Sequence, residues 1–253
     1  GWSVGIFSTY MIMFAALATK ASKAAKLFNS VQKSQISWQR IKPYLSEYKS
    51  KDSGQNLDDD HTDLVIENLR FHYPEGKENV LSDINLTARQ GEIIGVTGSI
   101  ASGKTALGQA LLGLSAYQGS IRINGKELRD YSEYERSQMI SYLGHSPQLL
   151  SDTIYNNITL GGSEDITAVL QDVCFEEDLG AMPDGADTLV GNSGIRLSGG
   201  QQARIALART LLHKNKLIIL DDPFSAVDMQ TEEKIIARMR KNYQNCLLII
   251  ISH

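Results

Sequence analysis

Residues 98–105, GSIASGKT, have the types and spacing that hold phosphate. Gly98 and Gly103 permit turns and close backbone approach. Ser99, Ala101, Ser102 and Ala106 belong to the loop and first helical turn, whose N–H groups point at an anion. Lys104 adds a point charge for β- and γ-phosphates, and Thr105 offers a hydroxyl to Mg2+. A second stretch, LIILDD at 217–222, runs four apolar residues into two adjacent carboxylates. Charge beside such a run is expensive unless it is used or paired. Asp221 suits a Mg2+ role through water beside the phosphates. Asp222 stands where a group orients or deprotonates an attacking water. It also precedes Pro223, and Asp before Pro starts turns, so a capping role is the competing reading. A third stretch, LSGGQQARIALART at 197–210, has between Leu197 and Gln201 a polar Gly pair, and Ser198, Gly199 and Gly200 form a helix start suited to a phosphate.

These groups need elements to hold them. EIIGVTG reads as a short buried strand running into the phosphate loop, and 104–114 as the helix after it, which is the context the motif requires. KLIILDD and NCLLIIISH are continuous apolar runs, expected of strands covered on both faces. DLVIENLRFHY alternates at Leu69, Phe71 and Tyr73, VLSDINLTA reads as a second strand, and SIRINGKEL as a hairpin turning at Asn124-Gly125. Residues 201–213 and 229–241 read as helices. Residues 46–62 are polar and charged, a linker.

The chain has 253 residues, 42% hydrophobic and 21% charged, ordinary globular composition. A net charge of -4 and a pI near 5.8 give no sign of a nucleic-acid surface, which is usually basic. Cys174 and Cys246 have no metal or redox spacing, in keeping with a reducing, cytosolic setting. The N-terminus differs. VGIFSTYMIMFAALA, residues 4–18, is free of charge and shorter than the roughly 20 residues that span a bilayer. Lys20, Lys23, Lys26, Lys33, Arg40 and Lys42 follow it, with no acid until Glu47. A basic flank marks the cytoplasmic side of a span. The expectation is the end of a transmembrane helix, continuing helically through Leu27, Val31, Trp38 and Ile41 toward Pro43.

Taken together, the phosphate loop, LSGGQ and LIILDD resemble the nucleotide-binding domain of ATP-binding cassette (ABC) transporters, of the exporter type in which membrane and ATPase domains share one chain. The resemblance implies an α/β P-loop NTPase fold with a mixed sheet core, an antiparallel β subdomain and an α-helical subdomain. It sets domains at 1–45 (end of the membrane domain), 46–62 (linker) and 63–253 (ATPase), with the family's C-terminal helices expected beyond His253. It implies ATP hydrolysis with Mg2+, an adenine-stacking aromatic at Tyr73, a subunit-contacting acid at Asp228 in SAVD, and a switch histidine at His253. Two such domains pair head to tail, each ATP lying between one phosphate loop and the other LSGGQ, and their closure and opening move the membrane helices.

The sequence departs from the family on the phosphate side. The family usually has Glu after the Mg2+-linked Asp, and Asp222 is shorter by about 1.5 Å. A misplacement of about 1 Å can slow a reaction on the order of 10²-fold. The family's Mg2+-sensing Gln stands eight residues before a Thr; that Thr is Thr153, and eight residues earlier is His145. Gln148 is close but three places late, and Pro147 matches the family's proline only with His145 in the Gln position. Ala101 stands where the family usually has Gly, and an alanine fits there if its φ is negative. LSGGQ is intact. A weakened phosphate side with a sound signature suits a heterodimer in which a better-equipped half-transporter completes the machine. The competing functions are an ATP-binding regulatory subunit that gates a membrane partner with little turnover, and a soluble cassette ATPase, against which the apolar N-terminus and its basic flank argue.

Overall fold

The computed structural model describes residues 4–46, 61–73, 79–99, 101–191 and 196–252. The chain divides into two units, residues 1–53 and 54–253.

In the first unit one helix, α1 (Val4–Ser46), runs 43 residues, about 65 Å at 1.5 Å per residue. Its stretch Val4–Lys23 is long and apolar enough to cross a membrane, and none of it is buried within the protein. The span is longer than the charge-free run because the helix carries it past Lys20. Ser8 and Thr9 donate their hydroxyls to the Gly5 carbonyl and Thr19 to those of Ala15 and Ala16, so these polar groups are satisfied inside the helix. Pro43 lies within its last turns rather than ending it. Of the linker, residues 47–60 lie outside the described residues.

The second unit begins with β1 (Asp63–Phe71), β2 (Leu81–Arg89), β3 (Ile93–Val96), α2 (Lys104–Leu111), β4 (Gln118–Ile123), β5 (Lys126–Glu127) and α3 (Glu133–Met139). It continues through β6 (Ile140–Leu143), α4 (Ile154–Thr159), α5 (Thr167–Asp172), α6 (Glu176–Gly180), α7 (Gly199–Leu211), β7 (Leu217–Asp221), α8 (Met229–Asn242) and β8 (Leu247–Ile251). The mixed pairing expected of the core is divided between two sheets. One is antiparallel, in the order β2-β1-β4-β5; the other is parallel, in the order β3-β8-β7-β6.

In β1 the buried side switches from Leu64 and Ile66 to Leu69 and Phe71, an even-to-odd change that simple alternation does not predict. The cause is a register shift at Asn68, whose φ is 50°. Gly119 faces it: a Cβ there would lie 2.4 Å from the Asn68 carbonyl oxygen, so only glycine fits. Asn124 and Gly125 turn the β4–β5 hairpin with φ of 52° and 77°, both left-handed as a two-residue I′ turn demands.

β7 is buried at every residue, and β8 nearly so, as their apolar runs require. Because β3, β6, β7 and β8 run parallel, the loops after them leave from one edge of the sheet. Open parallel sheets bind ligands at such carboxyl ends. β6 and the short helices α3–α6 were not separately legible. ISYL is four residues long, and the helices are seven residues or shorter.

Candidate functional site

β3 delivers the chain to the phosphate loop at the carboxyl edge, and α2 leaves it. Gly103 caps α2 with φ 89°; a Cβ there would stand 2.9 Å from the Val80 carbonyl oxygen. At Gly98 a Cβ would stand 2.9 Å from Ser102 Oγ. The loop is thus drawn in to a tightness that a side chain at 103 would prevent, and one at 98 would have to turn Ser102 aside. The Ser102 N–H donates to the Ser99 carbonyl at 3.2 Å. Lys104, nearly buried, folds across the loop and donates to the Gly98 and Ser99 carbonyls at 2.8 and 2.9 Å. Thr105 is exposed, while the Ala106 side chain is buried in the core, which leaves Ala106 only its backbone to offer. Ile100 lies outside the described residues.

Ala101 corrects an expectation. Its φ is +63°, not negative. The left-handed region costs an L-residue with a Cβ about 1–2 kcal/mol, which explains why glycine is the better residue here.

Asp221 ends β7 and is 2% exposed. The Tyr142 hydroxyl on neighbouring β6 donates to its Oδ2 at 3.3 Å. Burial pushes the Tyr142 phenol up to about 12, and the Asp221 charge, their hydrogen bond and the nearby Tyr73 add to the effect. Asp222 begins the next loop with φ +56°, and its N–H donates to the Ile251 carbonyl at 2.9 Å. Its carbonyl, not its carboxylate, accepts from the Ser225 hydroxyl and closes the Asp-Pro turn. The carboxylate Oδ2 instead lies 3.4 Å from His145 Nδ1. Asp222 and His145 therefore meet in space, although 77 positions separate them in the chain. Gln148 is engaged through its backbone. Its carbonyl accepts from Arg209 of α7 at 3.1 Å, and it lines a separate cavity of about 260 Å³ with Arg196 and Leu197.

Tyr73 follows β1, 40% exposed, its ring edge-on to Phe71 at 5.3 Å. The Val80 N–H donates to the Phe71 carbonyl at 2.7 Å, and Val80 abuts Gly103, so the segment near Tyr73 closes against the phosphate loop. His253 lies outside the described residues. The Ser252 N–H before it donates to the Val96 carbonyl at 3.0 Å, at the end of the strand that feeds the phosphate loop.

The signature segment is a capped helix start. Ser198 Oγ accepts from the Gln201 N–H at 3.2 Å, and Gln201 Oε1 accepts from the Ser198 N–H at 2.9 Å. The Gln201 amide donates to Asp178 Oδ1 at 2.8 Å, and Arg204 pairs with Asp178 Oδ2 at 2.8 Å. The Leu197 carbonyl accepts from Gln202 at 3.0 Å. Gly199 and Gly200 lie against Ala226 in the loop after Asp222; a Cβ on Gly200 would stand 2.8 Å from the Ala226 carbonyl oxygen. Asp228 in that loop caps α8, accepting from the Thr231 N–H at 3.0 Å, and the Thr231 contacts hold its carboxyl below the usual carboxylate range.

Tyr142, Asp178, Asn157 and Arg209 are site-building residues that sequence reasoning missed. Asn157 is fully buried; its amide bonds Leu150 and Thr153, and Arg209 reaches its carbonyl at 2.6 Å. Arg209 lies within LSGGQQARIALART but the other three stand in none of the motifs above, and each has a partner far along the chain.

The donors fit a nucleotide with Mg2+. The loop offers N–H groups and an ammonium to phosphates, and Thr105 and Asp221 are hard oxygen donors of the kind Mg2+ takes. Among the described residues no three His, Cys, Asp or Glu side chains gather into a metal cage, so substrate phosphates would complete the ion's shell.

The family model described as ABC transporter matches residues 81–225. Curated relatives include the type I secretion system ATP-binding protein PrsD of Rhizobium meliloti, 32% identical over 99% of this chain and 44% of that protein. The ATP-dependent lipid A-core flippase of Pseudomonas savastanoi is 31% identical over 99% of this chain and 43% of its own length. The chain thus spans less than half the length of these relatives. A bacterial Atm1-family ABC exporter solved with ATP bound superposes with a TM-score of 0.71 at 25% identity, covering 76% of this chain and 35% of that one. The family match over more than half of the residues, on a fold that gathers the phosphate loop and Asp221 at one sheet edge, places this chain in the ABC transporter family, with the fold of its ATP-binding domain.

Proposed function

We propose that the chain is the ATP-binding and ATPase part of an ABC exporter, lying on the cytoplasmic side of a cell membrane and coupling ATP to movement of a substrate across it. The observation that carries this reading is the convergence of Lys104, Thr105, Asp221 and Asp222 at the carboxyl edge of the parallel sheet. The basic flank after Val4–Lys23 and the exporters and flippases among the relatives support the membrane setting. The adenine would stack on Tyr73. Lys104 would leave the Gly98 and Ser99 carbonyls for the β- and γ-phosphates, a short move within a preformed loop. Mg2+, when bound, neutralises charge on those phosphates. Thr105 and Asp221 would hold it, with His145, which contacts Asp222, as the third candidate.

Asp222 would orient and deprotonate the attacking water, with His253 at the γ-phosphate. The Asp222 carboxylate is short, and His145 stands against it at 3.4 Å, which supports weak hydrolysis at this site. Leu197 to Gln201 would close over the ATP of a second half-transporter, with Asp228 at the contact. A heterodimer whose other subunit carries Glu after its Asp makes best use of this division. The test is ATP-driven transport by the reconstituted protein, alone and with a partner half-transporter. Vigorous transport by the homodimer alone overturns the heterodimer reading. The His145–Asp222 contact also favours a second reading, a regulatory subunit that binds ATP with little turnover. Steady-state hydrolysis by the assembled complex separates the two.

A further inference from the structure

We infer that Tyr142 is a positioning residue for the Mg2+ site, holding Asp221 through its hydroxyl across a notch that Gly108 cuts in α2; the inference rests on the nucleotide reading above. Asp221 is a buried carboxylate at the end of β7, and among the described residues Tyr142 is the side chain that hydrogen-bonds it. A buried carboxylate with one oxygen engaged by a fixed donor has its plane set, so the other oxygen presents one orientation to an ion's water shell.

The fixing of the donor is a separate observation. Tyr142 sits on β6, beside β7, with Tyr142 and Ile219 in register. Its ring lies against Gly108: a Cβ there would stand 3.1 Å from Tyr142 Cε2 and 3.6 Å from its hydroxyl oxygen. Gly108 is inside α2, where glycine is less favourable than alanine. A glycine there makes room for the ring between the phosphate-loop helix and the sheet. One side chain thereby ties together the helix that carries Thr105 and the strand that carries Asp221.

The test is Tyr142→Phe in the full-length protein, which keeps the ring and removes the hydroxyl. Mn2+ is titrated into protein saturated with a non-hydrolysable ATP analogue and bound metal is read by electron paramagnetic resonance; affinity for the analogue is measured separately in EDTA. The expected result is metal affinity weakened on the order of tenfold, as for other lost partners of metal-site ligands, with affinity in EDTA unchanged. Gly108→Ala, which crowds the ring, should weaken metal binding in the same direction, and the double variant should add little to Tyr142→Phe, since both act on one contact. Unchanged metal affinity in Tyr142→Phe overturns the inference, as does an equal loss with and without metal, which marks a packing role. Failure of the parent protein to bind the analogue even in EDTA overturns the nucleotide reading instead.

Discussion

The phosphate half and the signature half of this site are built in opposite ways. The signature start is held from several sides: the Ser198–Gln201 box, the Asp178 carboxylate shared by Gln201 and Arg204, and Gly200 fitted to the Ala226 carbonyl. Every residue there does what its conformation favours. The phosphate half contains two residues held in left-handed backbone, Ala101 and Asp222, and a His–carboxylate contact where the family places Gln and Glu. Strain of this kind persists only where surrounding structure over-determines it. The difference teaches that the two halves are held differently: the signature start is capped and packed on several sides, whereas the phosphate half carries left-handed residues that its surroundings must hold in place.

The largest effect should come from breaking the sound half. Gly200→Ala puts a methyl 2.8 Å from a backbone oxygen, and displacement of the helix start by about 1 Å should lower ATP turnover of the assembled complex on the order of 10²-fold. Lys104→Ala should abolish nucleotide labelling of this subunit and yet lower turnover less than Gly200→Ala does. The reverse ranking in steady-state ATPase measurements would remove the asymmetry. Asp222→Glu should raise turnover by several-fold in the same assay, while lowering thermal stability by about 1 kcal/mol, since aspartate tolerates the left-handed region better than glutamate. No gain in rate would show that the length of this side chain is not limiting. The smallest effect is expected at Ala101→Gly, which relieves the backbone at φ +63° and should stabilise the domain by no more than about 1 kcal/mol in thermal unfolding.

Much of this was legible because it is local. GSIASGKT and LIILDD each pair a backbone requirement with a charge requirement inside a dozen residues, and LSGGQ pairs glycines with a helix-capping serine, so the motifs and the strands and helices around them could be read directly. The Asn124-Gly125 turn was legible for the same reason. β6 was not, because four residues carry too little pattern to separate strand from loop. The switch of buried side in β1 was hidden as well, because it depends on a bulge at Asn68 facing Gly119, 51 positions later.

By itself, then, the sequence determined the chemistry on offer: a glycine-rich loop with a lysine, two adjacent carboxylates ending an apolar run, and a serine-capped glycine pair opening a helix. Only the tertiary structure decided what those groups touch. The parallel order β3-β8-β7-β6 sets Tyr142 beside Asp221 and the loop after β6 beside the loop after β7, which turns two separate departures, His145 and Asp222, into one contact. The reason is physical: backbone preference and charge act within a few residues, whereas the partner of a side chain at a sheet edge is chosen by strand order, which no short stretch of sequence contains.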